Sequence, residues 1–100
     1  MVVVVFRNRL RAGDAAAYRA TAARMEELAR AQPGFRSLKS FAAEDGERVT
    51  ISEFDSLAAV SAWRAQSEHL EAQRRGRAEF YAEYSLQTCE VARELKFSAK

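Results

Sequence analysis

Three side chains of the sequence are the strongest candidates for chemistry: Asn8, Trp63 and His69. The amide of Asn8 is neutral and holds its geometry, so it can donate a hydrogen bond to an oxyanion that develops on a ligand. The indole N–H of Trp63 could point at the same ligand. His69 is the single histidine, and its ordinary pKa near neutrality makes it the natural general base. These residue types suit removal of a proton from a bound molecule and stabilisation of the resulting anion.

Each of these residues also has a purely structural interpretation. Asn8 could be a buried amide that ties down a helix end. Trp63 could be the largest side chain of the core. His69 could be a solvated residue on a short polar helix. The residue types alone leave both interpretations open.

Four further side chains could bind a ligand: Phe6, Tyr81, Tyr84 and Arg77. Phe6 shares a strand face with Asn8, because side chains two residues apart point to the same side. Tyr81 and Tyr84 point to opposite faces of a regular strand, so only one of them is expected in a given pocket unless a bulge intervenes. Arg77 could attract an anionic substrate.

Cysteine, histidine and glycine usage excludes several kinds of chemistry. Cys89 is the single cysteine, so it cannot form an internal disulfide, and no Cys/His cluster has the spacing of metal ligands. No histidine lies near Cys89 in sequence, so we do not expect a catalytic thiol. The chain has no nucleophile elbow and no glycine-rich phosphate loop. We therefore expect no metal, neither acyl nor phosphoryl transfer, and a cytoplasmic location.

Length and composition are typical of one compact domain over residues 1–100. Of 100 residues, 48% are hydrophobic and 30% are charged, with 16 basic and 14 acidic side chains. Because the two signs are interspersed and the net charge is only +2, we do not expect a nucleic-acid partner. No apolar run approaches the ~20 residues that span a bilayer, so we expect no membrane partner.

The elements that must position the candidate residues follow from hydrophobic spacing. The run Val2–Leu10 is rich in β-branched residues and predicts a first strand in which Asn8 is the polar residue of an apolar face. Asp14 can cap a helix that continues until Pro33 and Gly34 stop it. Residues 35–43 and 48–54 then predict a hairpin around a polar turn at residues 44–47.

The second half predicts two short helices and a long last strand. Asp55 or Ser56 can cap a helix through Trp63, and Ser67 can cap another that runs to Gly76. Residues 80–94 predict the last strand. The order βαββαβ predicts an α+β, ferredoxin-like fold with helices on one face of an antiparallel sheet.

Two features predict that the chain forms a homodimer. A last strand of about fifteen residues would reach ~50 Å, whereas a sphere of 100 residues spans only ~33 Å. In addition, the sheet face opposite the helices carries Val3 and Val5. We therefore expect two copies to join sheet to sheet.

The chain resembles the antibiotic biosynthesis monooxygenase superfamily over essentially its whole length, through the order and spacing of several short motifs. The motifs are Asn8-Arg9-Leu10, Pro33-Gly34-Phe35, Phe54-Asp55-Ser56, Ala62-Trp63, His69, Gln73, Gly76-Arg77, Phe80-Tyr81, Tyr84 and Cys89-Glu90-Val91. The resemblance implies a dimeric α/β barrel in which each protomer keeps a pocket between its sheet and helices. It also implies oxygenation of a phenol, quinol or polyketide-like substrate by O2 without metal or flavin. Asn8, Trp63 and His69 would then be catalytic.

Two alternatives stay open beside this hypothesis. One is a non-catalytic protein that binds a small hydrophobic ligand. The other is a haem-binding or haem-degrading protein, since that branch of the superfamily resembles this chain at Asn8 and Trp63. The haem-degrading branch has a haem-ligating histidine ten residues beyond that tryptophan, where this chain has Gln73. Glutamine does not replace an imidazole as an iron ligand.

Overall fold

The computed structural model describes residues 1–99. Within them the chain forms four strands, three α-helices and one π-helical turn. Their bounds are β1 Val2–Leu10, α1 Ala15–Arg30, β2 Phe35–Ala42, β3 Arg48–Phe54, α2 Leu57–Ala65, α3 Ser67–Arg75, the π-turn Gly76–Phe80 and β4 Tyr81–Glu90. The strands form one antiparallel sheet in the order β2-β3-β1-β4. This arrangement confirms the predicted ferredoxin-like α+β fold.

The first helix begins where the sequence predicts. The carboxylate of Asp14 accepts a hydrogen bond of 2.9 Å from the backbone N–H of Ala17, which satisfies one of the free donors at the start of α1. After α1 the chain turns at Gly34, whose φ of +85° lies in the region that favours glycine. A Cβ at Gly34 would lie 2.7 Å from the Cβ of Ala59, so the turn also needs glycine for close approach to α2.

The core lies between the sheet and the helices. It is a cluster of Val2, Val4, Phe54 and Val60, and Trp63 packs against it. Phe54 is fully buried. The helices pack mainly on β2 and β3, so the helix-side face of β4 is left partly open. Within residues 1–99, no helix has both the length and the apolar character needed to cross a membrane.

The second pair of helices differs in detail from the prediction. Ser56 caps α2 as predicted, through a hydrogen bond of 3.1 Å from the N–H of Ala59. The cap of α3 is Gln66 and not Ser67, since the Gln66 side chain accepts a hydrogen bond of 2.8 Å from the N–H of His69. Glutamine at this position is long enough to fold back on the first turn of α3. The prediction of two separate short helices in this segment is confirmed.

The predicted last strand over residues 80–94 was too long. β4 covers only Tyr81–Glu90, and its ladder with β1 ends where the Val91 N–H donates to the Met1 carbonyl at 3.1 Å. Residues 91–99 form no regular element. Ten residues reach ~33 Å, which fits one domain, so strand length no longer argues for a dimer.

Candidate functional site

Asn8 lies on the helix-covered face of β1, close to the end of that strand. It is 3% exposed. Its sheet neighbours are Arg48 on β3 and Tyr84 on β4. Directly opposed residues of antiparallel strands point to the same side and lie about 4.5–5.5 Å apart at Cβ. The sheet therefore presents an amide between a guanidinium and a phenol.

The side-chain oxygen of Asn8 is buried and has no hydrogen-bond partner among residues 1–99. A buried acceptor without a partner costs about 1–3 kcal/mol, and most such groups in folded proteins are satisfied. A half-turn about the Cβ–Cγ bond would present the amide NH2 group in place of the oxygen. The amide can thus accept from a ligand hydroxyl or donate to a ligand oxyanion.

Three aromatic rings pack beside Asn8. The ring of Phe6 lies 5.4 Å from that of Tyr81 and 5.6 Å from that of Tyr84, and the two tyrosine rings are 5.7 Å apart. Tyr84 remains 42% exposed and Leu86, opposite Phe6 on β4, 40% exposed. The group therefore opens to solvent along β4, where the helices do not cover the sheet.

A β-bulge brings both tyrosines to one face. Arg9 of β1 is opposite Glu83, but Leu10 is opposite Tyr81, so Ala82 is an extra residue in β4. A regular strand would have placed Tyr81 and Tyr84 on opposite faces, as the sequence predicts in the absence of a bulge. The extra residue reverses the alternation and places Tyr81 among the aromatic group.

Tyr18 of α1 covers Tyr81, a role that sequence reasoning missed. Its ring lies 6.1 Å from the ring of Tyr81 and 5.5 Å from that of Phe80, edge-on in both cases. Burial, with Tyr18 beside it, raises the pKa of the Tyr81 hydroxyl. That hydroxyl therefore stays protonated at neutral pH.

The π-turn before β4 holds Tyr81 in position. Gly76 is buried, and a Cβ there would lie 2.6 Å from Cε2 of Tyr81, so the ring packs directly on the glycine. The guanidinium of Arg11 donates to the carbonyls of Arg77 and Tyr81 at 2.9 and 3.0 Å. Nη1 of Arg77 donates to the hydroxyl of Tyr84 at 3.4 Å. Arg77 is thus placed at the edge of the aromatic group.

Trp63 and His69 form a second, separate pair. Their rings stack with centroids 4.0 Å apart and an interplanar angle of 13°. Nδ1 of His69 lies 2.9 Å from the Trp63 carbonyl, and Nε2 lies 3.5 Å from the side-chain nitrogen of Gln73. The indole packs on the core at the Val2 and Val4 end of β1. The predicted contact of Trp63 and Asn8 with one ligand stays a prediction.

The imidazole of His69 is uncharged at neutral pH, which is the state in which it can accept a proton. Burial lowers its pKa, and the hydrogen bond to the Trp63 carbonyl opposes that effect only in part. Because a carbonyl can only accept, the neutral ring carries its proton on Nδ1 and its lone pair on Nε2. The Gln73 amide is placed to donate to that lone pair.

The residues around His69 do not fit a haem as they stand. The hydrogen bond from Nδ1–H to the Trp63 carbonyl is one that a metal-ligating histidine commonly makes. However, Nε2, the atom that would have to bind iron, faces the Gln73 amide, and one ring face is covered by the indole. Within residues 1–99, no group of three or more His, Cys, Asp and Glu side chains is arranged to hold a metal ion.

Two surface hollows lie away from Asn8 and Trp63. One lies between α1 and α3, with the ion pair of Arg24 and Glu68 at 3.0 Å among its lining residues. The other lies beside Met1 and Glu90 at the opposite end of β1. Neither is lined by Asn8 or Trp63, and Trp63 and His69 lie apart from the aromatic group. The other candidate residues gather beside Asn8 over β1 and β4, and we call this partly exposed group the aromatic cleft: Phe6, Tyr81, Tyr84 and Arg77.

The fold agrees with the comparisons to known proteins. The family model of the antibiotic biosynthesis monooxygenases matches residues 1–75, three quarters of the chain. The chain belongs to this family.

An uncharacterized protein of Bacillus subtilis, YqjZ, is 39% identical over 80 residues, which are 80% of this chain and 70% of that protein. Two solved structures share the fold at lower identity. A protein from Deinococcus radiodurans, proposed to be an antibiotic biosynthesis monooxygenase, has a TM-score of 0.85 at 15% identity and covers 99% of this chain and 100% of its own. SnoaB of Streptomyces nogalater, a cofactor-independent oxygenase, has a TM-score of 0.79 at 22% identity and covers 94% and 95%.

Proposed function

We propose that the protein is a monooxygenase that oxygenates a small phenol, quinol or polyketide-like aromatic with O2 and without metal or flavin. The observation that carries the proposal is the buried amide of Asn8, whose oxygen lacks a partner beside a cleft of aromatic rings. Family membership and the likeness to a cofactor-independent oxygenase support it. Small-molecule sites are commonly apolar clefts with a few converging polar groups.

The chemistry requires a substrate that becomes strongly reducing when it loses a proton. A phenol then passes electrons to O2, one oxygen atom bonds to the ring, and the other leaves as water. For a phenol that becomes a quinone, the ring loses two hydrogen atoms and gains one oxygen atom, so substrate, O2, quinone and water balance. All electrons come from the substrate, so this route needs no bound redox group.

Each residue of the cleft contributes to a different part of this reaction. Asn8 accepts from the substrate hydroxyl before proton loss and, with its amide turned, donates to the oxyanion after it. Phe6 and Tyr84 pack against the substrate ring. Nε2 of His69 accepts the proton of a substrate long enough to reach it. With a shorter substrate, His69 only holds the ring of Trp63 in place by stacking on it.

The second part of the proposal is a homodimer joined sheet to sheet. The sheet face opposite the helices carries an apolar patch: Val3, Val5, Phe41, Val49 and Ile51. Phe41 and Ile51 are 49% and 38% exposed. Exposed apolar patches on a sheet commonly mark an interface. A second copy would cover this patch with an identical one and leave both clefts on the outer, helix-bearing sides.

Oxygen uptake with a panel of hydroquinones and anthrones tests the catalytic proposal. We expect uptake by the wild type and a loss of about 10²-fold or more in Asn8→Ala, since loss of one oxyanion donor commonly costs that much. We also expect a loss in Trp63→Ala. Ser61→Ala, at an exposed residue of α2, is the control and should retain full uptake.

Two results would contradict the proposal. If Asn8→Ala and Trp63→Ala both fold and retain full uptake, the site is misassigned. If the wild type binds the aromatics in the cleft but takes up no oxygen, the protein is a ligand-binding member of the family. Addition of haemin separates the remaining alternative, because ligation by His69 would shift the Soret band.

A further inference from the structure

We infer that the cleft binds its aromatic ligand as an anion and that Arg48 is the counterion. This inference rests on the proposed function, since it assigns the charge state of the substrate in that same cleft. Arg48 is the first residue of β3 and lies directly opposite Asn8 in the sheet. Its side chain is therefore on the same face as the amide, under α1.

Arg48 is a partly buried arginine without a carboxylate partner in the part of the chain that the structure describes. The two acidic side chains nearest to Arg48 in the hairpin sequence already form ion pairs with other arginines. Glu47 pairs with Arg7 at 2.9 Å and Asp45 pairs with Arg9 at 2.9 Å. Arg7 and Arg9 belong to the opposite face of β1, so these two carboxylates of the turn are drawn away from the cleft. The third, Glu44, is exposed and forms no ion pair with Arg48.

The neighbours of Arg48 inside the fold are aromatic. Its guanidinium carbon lies 5.8 Å from the centre of the Tyr18 ring. The guanidinium is also close enough to Tyr81 to counteract part of the rise in the pKa of that hydroxyl. Tyr18 in turn packs on Tyr81. The positive charge therefore faces the same aromatic group that flanks Asn8.

The position of the Arg48 guanidinium favours one kind of ligand, a small aromatic molecule with a negative charge. A partly buried cation favours an anion more strongly than an exposed one does, because the local dielectric is lower. When a phenol binds beside Asn8, its O–H bond breaks, the proton leaves to water along the open side at β4, and the negative charge stays on the ligand oxygen beside Arg48. An opposite charge within about 4–6 Å commonly lowers the pKa of such a group by 1–3 units.

The other titratable and charged groups that face the cleft do not change this assignment. They are Tyr18 on α1, Tyr81 and Tyr84 on β4, and Arg77 on the π-turn. The pKa of Tyr81 is raised, so that phenol stays neutral at neutral pH. Arg77 adds a second positive charge at the rim.

Equilibrium binding of 4-nitrophenol tests the inference without turnover, because its phenolate form has its own visible absorbance band. We expect the wild type to bind it with the bound pKa lowered by about one unit or more. Arg48→Met should weaken binding of the anion by about tenfold or more and abolish that shift. Arg48→Lys should restore much of both. Arg19→Met, which removes an exposed charge beside Tyr18 on α1, is the matched control and should behave as the wild type.

Nitrobenzene, a neutral ring of similar shape, should bind equally to the wild type and to Arg48→Met. The inference is wrong if Arg48→Met binds 4-nitrophenol like the wild type, if both ligands lose affinity to the same extent, or if the wild type leaves the nitrophenol pKa unchanged. Oxygen uptake measured on the same variants separates the two proposals. If oxygen is taken up but binding of 4-nitrophenol does not depend on Arg48, only the anion-site inference is wrong. If binding depends on Arg48 but no oxygen is taken up, only the oxygenase proposal is wrong.

Discussion

Asn8 sets the chemistry of the site at the scale of single residues. A buried amide oxygen without a partner is a local cost to the fold that a bound hydroxyl would relieve. Arg48, opposite it, carries a charge that the neighbouring carboxylates leave unbalanced. Both groups are satisfied by the same kind of ligand, a small aromatic with an acidic hydroxyl. Polar residues placed this way favour binding over stability.

Asn8→Leu tests this conflict between binding and stability. Replacing an unpaired buried amide by an apolar side chain of similar size should leave the free energy of unfolding unchanged or raise it by up to about 1–3 kcal/mol. The same change should abolish binding of 4-nitrophenol. Urea unfolding and absorbance titration measure the two effects. A marked loss of stability would show instead that the amide has a structural hydrogen bond.

At the scale of elements, the π-turn and the bulge in β4 are the two irregularities that build the cleft. The π-turn places Gly76 under the ring of Tyr81, and the bulge at Ala82 turns that ring to the face of Asn8. Irregularities of both kinds are frequent next to functional sites. The position of Tyr81 thus depends on the backbone on both sides of it.

Gly76→Ala should disturb this arrangement through Tyr81 alone. The backbone of Gly76 is helical, with φ −56°, so alanine is compatible with it. The added Cβ would meet the Tyr81 ring at 2.6 Å, and overpacking of this kind costs about 1–3 kcal/mol. In a Tyr81→Ala background the same change should cost nothing. Gly13→Ala is the control, since a Cβ there meets nothing within 4 Å.

Thermal or urea unfolding of the four proteins in this cycle gives the coupling energy between positions 76 and 81 directly. Equal effects of Gly76→Ala in both backgrounds would show that the glycine is needed for another reason.

The regular elements could be predicted from the sequence, and so could the face on which Asn8 lies. Strand alternation and helix capping act over a few residues, so they are visible locally. The bulge at Ala82, the end of β4 and the roles of Tyr18 and Arg48 could not be predicted. They depend on which residues β1, β3 and α1 bring together across the fold, and no local spacing in the sequence encodes that register.

At the scale of the whole molecule, the two faces of the sheet have different tasks. The helix side carries the core and the cleft, whereas the opposite side carries the apolar patch around Val5 and Ile51. Leu95 and Phe97, beyond β4, are 83% and 89% exposed. The described chain thus leaves apolar side chains uncovered both on the helix-free face of its sheet and in the segment after β4.

Ile51→Lys tests the proposed dimer. We expect the wild type to sediment as a dimer and the variant as a monomer, because the new charge would be buried in the interface beside the like charge of Lys39 on the same face. Leu70→Lys, at a similarly exposed apolar residue on α3, is the control and should remain a dimer. A wild type that is monomeric at high concentration, or an Ile51→Lys variant that still dimerises, contradicts the proposal.

The stack of His69 on Trp63 gives the protein a built-in optical signal. Trp63 is the single tryptophan, so its emission reports on one place in the molecule. A protonated imidazole quenches an indole that it touches, whereas a neutral one does so far less. Because burial lowers the pKa of His69, emission should stay bright through neutral pH and fade only in more acidic solution. Any ligand that separates the two rings would change the intensity of tryptophan emission, so its binding can be measured without a fluorescent label.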